Sequence, residues 1–156
     1  MLCRDAPENL DVVLRYMHDF NQNPSWRTHK DIDWSISLMD SEKSSTGFVG
    51  LKNLGCICYM NSLFQQLFMV KSFRNDVLAV PDKPGEDKDE SMLYQLQVLF
   101  AGLLKSEKQY VSPKGFCHAF KDWDGNPTNV LEQMDVEEFF GMLMDRIETA
   151  VKSSPQ

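Results

Sequence analysis

No apolar run in this chain approaches the roughly 18 residues that a membrane helix requires, so no membrane partner is expected. The opening Met1-Leu2-Cys3-Arg4-Asp5 meets charge at once and lacks the apolar stretch of a secretory leader. The expected compartment is therefore the cytoplasm, with the nucleus as the other option. Basic charge is short: 16 Lys and Arg face 23 Asp and Glu, for a net charge of −7. That balance argues against a nucleic-acid surface. Cysteine is sparse as well. Cys3, Cys56, Cys58 and Cys117 form no CxxC pair, so the usual zinc and dithiol spacings are missing. A metal site built on Cys56-x-Cys58 would be two ligands short, and no metal or cofactor is expected. Repeats are absent, and no strand signal exceeds the short apolar run Gly47-Phe48-Val49-Gly50-Leu51.

What is present is a globular composition. The 156 residues are 42% hydrophobic and include 10 Phe, 4 Tyr and 3 Trp, enough for one ordinary core. Leu10, Val13, Leu14, Met17 and Phe20 follow helical spacing, which predicts a helix over 8–20. Residues 26–45 carry no clean period, and a boundary is expected near residue 46. A helical run follows from about Cys58 to Val70, with Met60, Leu63, Phe64, Leu67 and Phe68 as its apolar face. The stretch 81–90, PDKPGEDKDE, is a solvated loop by composition. Ser91 is placed to cap the next helix, whose Met92, Leu96, Leu99, Phe100 and Leu103 keep the period to about Leu104. Ser112-Pro113 opens a short helix over roughly 113–121. A last helix is predicted from about Glu132 to Val151, burying Val136, Phe139, Phe140, Leu143, Met144 and Ile147. The fold class is mostly α.

One segment carries chemistry: Gly50-Leu51-Lys52-Asn53-Leu54-Gly55-Cys56-Ile57-Cys58-Tyr59-Met60-Asn61-Ser62. A glycine turn here delivers Cys58 to the first turn of an apolar helix. The unpaired N–H groups and partial positive charge of a helix start favour a thiolate. Asn53 lies across the turn, and its amide together with the Cys58 backbone N–H is the equipment of an oxyanion hole. On these grounds alone two readings stay open: a nucleophile, or a small buried hydrophobe.

Residues 50–66, GLKNLGCICYMNSLFQQ, resemble the cysteine box of the ubiquitin-specific proteases, whose pattern is Gly-Leu-x-Asn-x-Gly-x-Thr-Cys-Tyr-Met-Asn-Ser followed by Gln. A second box, Leu131-Glu132-Gln133-Met134-Asp135-Val136-Glu137-Glu138-Phe139, is similar to that family's Gln-x-Asp-Ala-x-Glu-Phe. The run Phe48-Val49-Gly50-Leu51 and the helix beginning at Met92 resemble the very large members. The resemblance implies the helical thumb half of a papain-like α+β cysteine protease over 46–156, preceded by an extension over 1–45. It implies that Cys58 attacks the carbonyl of ubiquitin's terminal glycine and that Asn53 stabilises the oxyanion. Gln133, Asp135 and Glu138 match substrate-binding positions of the second box, where the Asp and Glu face ubiquitin's arginine-bearing tail and Phe139 packs beneath the site. Ubiquitin and ubiquitinated proteins are the implied partners.

The sequence departs from the family pattern at Ile57, where Thr is usual, at Cys56, usually small or polar, and at Met134. No histidine box is found among these residues; His18, His29 and His118 lie outside the matched boxes. The implied reaction therefore needs a base that this chain does not supply, and the alternative is a catalytically incomplete module that binds ubiquitin or serves as a scaffold.

Overall fold

The structure, a computed structural model, describes residues 46–83 and 85–153. The helix expected over 8–20 lies outside the described residues. The architecture is mostly helical with one small sheet. Strand β1 (Gly50–Leu51) is followed by α1 (Cys58–Met69), α2 (Lys71–Ala79) and α3 (Met92–Lys105); then come β2 (Tyr110–Val111), α4 (Lys114–Ala119) and α5 (Val136–Lys152). The two strands pair in parallel, Gly50 opposite Tyr110 and Leu51 opposite Val111. The Lys52 N–H donates to the Val111 carbonyl at 2.9 Å and extends the ladder to the edge of the cysteine box.

Helix α1 begins where its sequence predicts, and Met60, Phe64 and Phe68 recur at i, i+4 and i+8 to bury one stripe. Leu63 and Leu67 are only partly buried at its margin. The chain then turns at Val70, whose backbone is extended, and α2 starts one residue later. No element is predicted there from periodicity. The junction is held by tertiary groups: Arg74 donates to the Phe68 carbonyl at 3.1 Å, satisfying an orphan acceptor at the end of α1. Its guanidinium also lies over the Phe68 ring, 4.9 Å from the centroid.

Helix α3 is the central strut. Ser91 caps it as expected, accepting from the Tyr94 N–H. Its buried surface is broader than the predicted stripe, because α2, α4 and β2 all pack against it. Leu93 is buried, Met92 is only partly so, and the polar Gln95 and Gln97 go inside. Each glutamine serves stranded backbone: Gln97 donates to the carbonyls of Val77 and Val80, and Gln95 to that of Lys88. Burial is tolerable because these amides find acceptors.

Helix α5 starts at Val136 rather than near Glu132. Asp135 is its N-cap, its Oδ1 accepting from the N–H groups of Glu137 at 2.8 Å and Glu138 at 3.2 Å. Upstream, Asn129 makes its own turn by accepting from the Leu131 N–H, so residues 129–132 do not join the helix. The buried stripe is Phe139, Met142, Leu143 and Ile147; Val136 and Phe140, predicted inside, are 46% and 41% exposed. Phe139 joins the core at an aromatic junction, edge-on to Tyr59, Phe64 and Phe120 at centroid distances of 5.4, 6.0 and 5.2 Å. No described helix is long and apolar enough to cross a membrane.

Candidate active site

Cys58 is exposed and is the first residue of α1. The first intrahelical bond runs from the Asn61 N–H to the Ile57 carbonyl, so the N–H groups of Cys58, Tyr59 and Met60 have no acceptor within the helix. No side chain caps this end. The positive end of the helix therefore lies uncapped beside an exposed thiol. The arrangement depends on Ile57, the N-cap residue. Bulky at a tight turn, it is accommodated by complete burial, which leaves the thiol on the outer side.

The approach to Cys58 is shaped by two close ties. Gly55 has φ of +150°, and a Cβ built there would stand 2.5 Å from the Val130 carbonyl oxygen. Only glycine allows that approach. The next residue uses it: the Cys56 N–H donates to the same oxygen at 2.7 Å. The cysteine box is thereby bonded to the segment that leads into the second box. On the other side, Asn61 of α1 donates through its amide to the Lys52 carbonyl at 3.3 Å, fastening the turn that carries Asn53. Asn53 is exposed, and its Oδ1 accepts from the Gly55 N–H at 3.3 Å. That bond commits the oxygen end of the amide and leaves its NH₂ end outside the turn.

Gln133, Asp135 and Glu138 come together along a cleft of about 320 Å³ walled also by Tyr59, Thr128 and Phe139. Asp122 and Glu132 line it as well, so its polar rim is acidic. Cys58 and Asn53 are not in its lining. They connect to it through Tyr59, the residue after the thiol, whose ring abuts Phe139. Tyr59 and Thr128 are cleft residues that periodicity does not single out. Tyr59 had a signal, its place directly after Cys58; Thr128 had none. Burial above all, and then the neighbouring Cys117 and Cys58, raise the Tyr59 phenol above its ordinary range. Asp135 serves the fold as well as the cleft. Both of its cap bonds end on Oδ1, leaving Oδ2 outside them.

The remaining chemistry-bearing groups stand elsewhere. Cys117 is buried, 3.9 Å from the Met60 sulfur, and burial pushes its thiol up to about 11. His118 is exposed with its Nδ1 3.6 Å from Glu90, which also pairs with Lys121 at 3.2 Å. His18 and His29 lie outside the described residues. Among the described residues no three His, Cys, Asp or Glu side chains cluster as a metal site would require.

An exposed cysteine thus opens α1, and the turn before it is bonded across a glycine to the segment that leads into the acidic cleft. The ubiquitin carboxyl-terminal hydrolase family matches residues 49–156, and the chain belongs to that family. It is 38% identical over 152 residues to human ubiquitin carboxyl-terminal hydrolase 24, covering 97% of this chain and 6% of that protein. Ubiquitin carboxyl-terminal hydrolase 9X of Mus musculus is 36% identical over 164 residues, covering 78% of this chain and 6% of the relative. Ubiquitin carboxyl-terminal hydrolase puf of Drosophila melanogaster is 38% identical over 115 residues, covering 74% of this chain and 3% of the relative. The chain thus spans only about 6% of the length of the first of these very large proteins.

Proposed function

We propose that this chain is the nucleophile-bearing thumb portion, residues 46–156, of a papain-like deubiquitinase that cleaves after the C-terminal glycine of ubiquitin. One juxtaposition carries the reading: exposed Cys58 opens α1, and the next residue walls a cleft lined by Gln133, Asp135 and Glu138. The Cys58 thiolate adds to the glycine carbonyl, and the Asn53 amide and Cys58 N–H receive the developing oxyanion. Collapse expels the amine and leaves a thioester, which water hydrolyses. The acidic cleft suits the arginine-bearing tail of ubiquitin by charge. The base that takes the thiol proton belongs to a histidine box elsewhere in the longer protein. Ubiquitin and ubiquitinated proteins are the proposed partners, and the cytoplasm or nucleus the proposed compartment.

The test uses ubiquitin carrying a C-terminal fluorogenic amide. The 156-residue chain alone should not turn it over, and the protein extended through its histidine box should. In the extended enzyme Cys58→Ala should abolish turnover, and Asn53→Ala should slow it by roughly 10²–10³, the cost of one oxyanion donor. Full turnover by the Cys58→Ala enzyme would overturn the mechanism. A non-catalytic ubiquitin-binding module is the second reading, favoured by Ile57 at the usual Thr position and by Met134 in the second box. Saturable ubiquitin binding by the extended protein with no turnover would select it.

A further inference from the structure

Cys56 takes no part in the proposed reaction, yet it is exposed two residues before an exposed Cys58. Ile57 between them has φ −97° and ψ 21°, the bent bridge conformation. A residue bent in this way holds the Cα atoms on either side roughly 5.5 Å apart, where an extended one would hold them nearly 7 Å apart. Disulfides span Cα separations of about 4.4–6.8 Å, most often near 5.5–6 Å. The backbone therefore already holds the two Cα atoms at a separation that a disulfide spans. Two further contacts keep it there: the Cys56 N–H is bonded to the Val130 carbonyl, and the Ile57 side chain is anchored in the core. Cys117 is kept out of exchange by burial, which also holds it protonated.

We infer that Cys56 is a resolving thiol, which closes onto Cys58 as a reversible intramolecular disulfide when the site meets hydrogen peroxide. The Cys58 thiolate attacks one peroxide oxygen; an S–O bond forms, the O–O bond breaks, and hydroxide leaves to become water. Cys56 then attacks the sulfenic sulfur; the S–S bond forms, the S–O bond breaks, and a second water leaves. Two thiols are oxidised and one peroxide is reduced. Without Cys56 the sulfenic acid has no near partner, and further peroxide carries it to the irreversible sulfinic acid. The small ring strains the bond and makes it easily reduced, as befits a regulatory disulfide. Silencing of hydrolysis by this bond rests on Cys58 being the nucleophile; its formation does not.

Trypsin releases residues 53–71 as one peptide holding Cys56 and Cys58 and no other cysteine. The 156-residue chain is treated with peroxide, free thiols are alkylated, and this peptide is weighed. It should be about 2 Da lighter and unalkylated, the loss of two hydrogens, and dithiothreitol should reverse the change. In Cys56→Ser the same peptide should instead gain about 32 Da at Cys58, which dithiothreitol does not remove. A wild-type peptide with sulfinic Cys58 beside a free Cys56, or with either cysteine bridged to Cys3, Cys117 or a second chain, overturns the inference. This readout needs no turnover, so its failure leaves the hydrolase reading standing, and failure of the Cys58→Ala turnover test leaves this one standing.

Discussion

At the scale of single residues, Asp135 combines two roles that one substitution would confuse. Its carboxylate caps α5 through two backbone N–H groups and also lines the acidic cleft. Asp135→Ala should lower stability by about 1 kcal/mol, the usual cost of a lost cap, and weaken ubiquitin capture by the extended enzyme. Asp135→Ser keeps a capping oxygen and discards the charge. Its urea midpoint should stay near the wild type while ubiquitin titration shows the same weakening as the alanine variant. Equal binding by Asp135→Ser and the wild type would mean that the residue serves the helix alone. The cleft role is suggested by a local match of residue types at fixed spacing. The cap is legible too, since Asp before a helical run is a start signal. What hides the cap is that Glu132-Gln133-Met134 before it are themselves good helix formers, so the predicted start falls at Glu132.

At the scale of elements, two helical glycines separate intrinsic preference from packing. A Cβ at Gly102 in α3 would stand 2.8 Å from Cγ1 of Val111, a short, stiff, buried side chain on β2. At Gly141 in α5 a Cβ would meet nothing within 4 Å. Both replacements by alanine gain about 1 kcal/mol of helix propensity. Gly141→Ala should keep that gain and raise the urea midpoint. Gly102→Ala should reverse it, because overpacking costs about 1–3 kcal/mol, and β2 must move off α3. A stabilised Gly102→Ala protein would show that the strand is free to shift. The existence of α1, α3 and α5 is legible because each carries a run of apolar residues at helical spacing, and that of α4 because Ser112-Pro113 is a helix start signal. Helix α2 is not: its only fully buried side chains are the adjacent Val77 and Leu78. What secures α2 is contact with its neighbours: Gln97 of α3 donates to the carbonyls at its C-terminal end, and its own Arg74 reaches back to the Phe68 carbonyl at the end of α1.

At the scale of the whole molecule, the core that supports the site also sets a limit on its alkaline stability. Burial lifts Cys117 from an ordinary 9.0 to about 11. Between those values the unfolded chain has lost this proton and the folded chain still holds it, so the unfolded state binds fewer protons and stability falls as pH rises. The contribution is intact below pH 9 and lost once pH passes about 11; two pH units correspond to roughly 2–3 kcal/mol. Tyr59, raised for the same first reason, adds a fall in the same direction. Urea midpoints measured from pH 8 to 11 should decline, and Cys117→Ala should flatten part of that slope while lowering stability below pH 9. A variant whose slope matches the wild type would place the titration elsewhere. The family, the mostly helical class and the position of Cys58 at a helix start were determined by sequence alone, because each is written in contiguous residues whose spacing acts locally. The faces those helices bury were decided only in three dimensions. Met142 goes in and Phe140 stays partly out because burial depends on which neighbour covers a face, and periodicity supplies the stripe without the neighbour. The bond between Cys56 and Val130, and the meeting of Tyr59 with Phe139, join residues some 70 to 80 positions apart. No local preference encodes such a meeting; it exists only once the intervening helices have closed around α3.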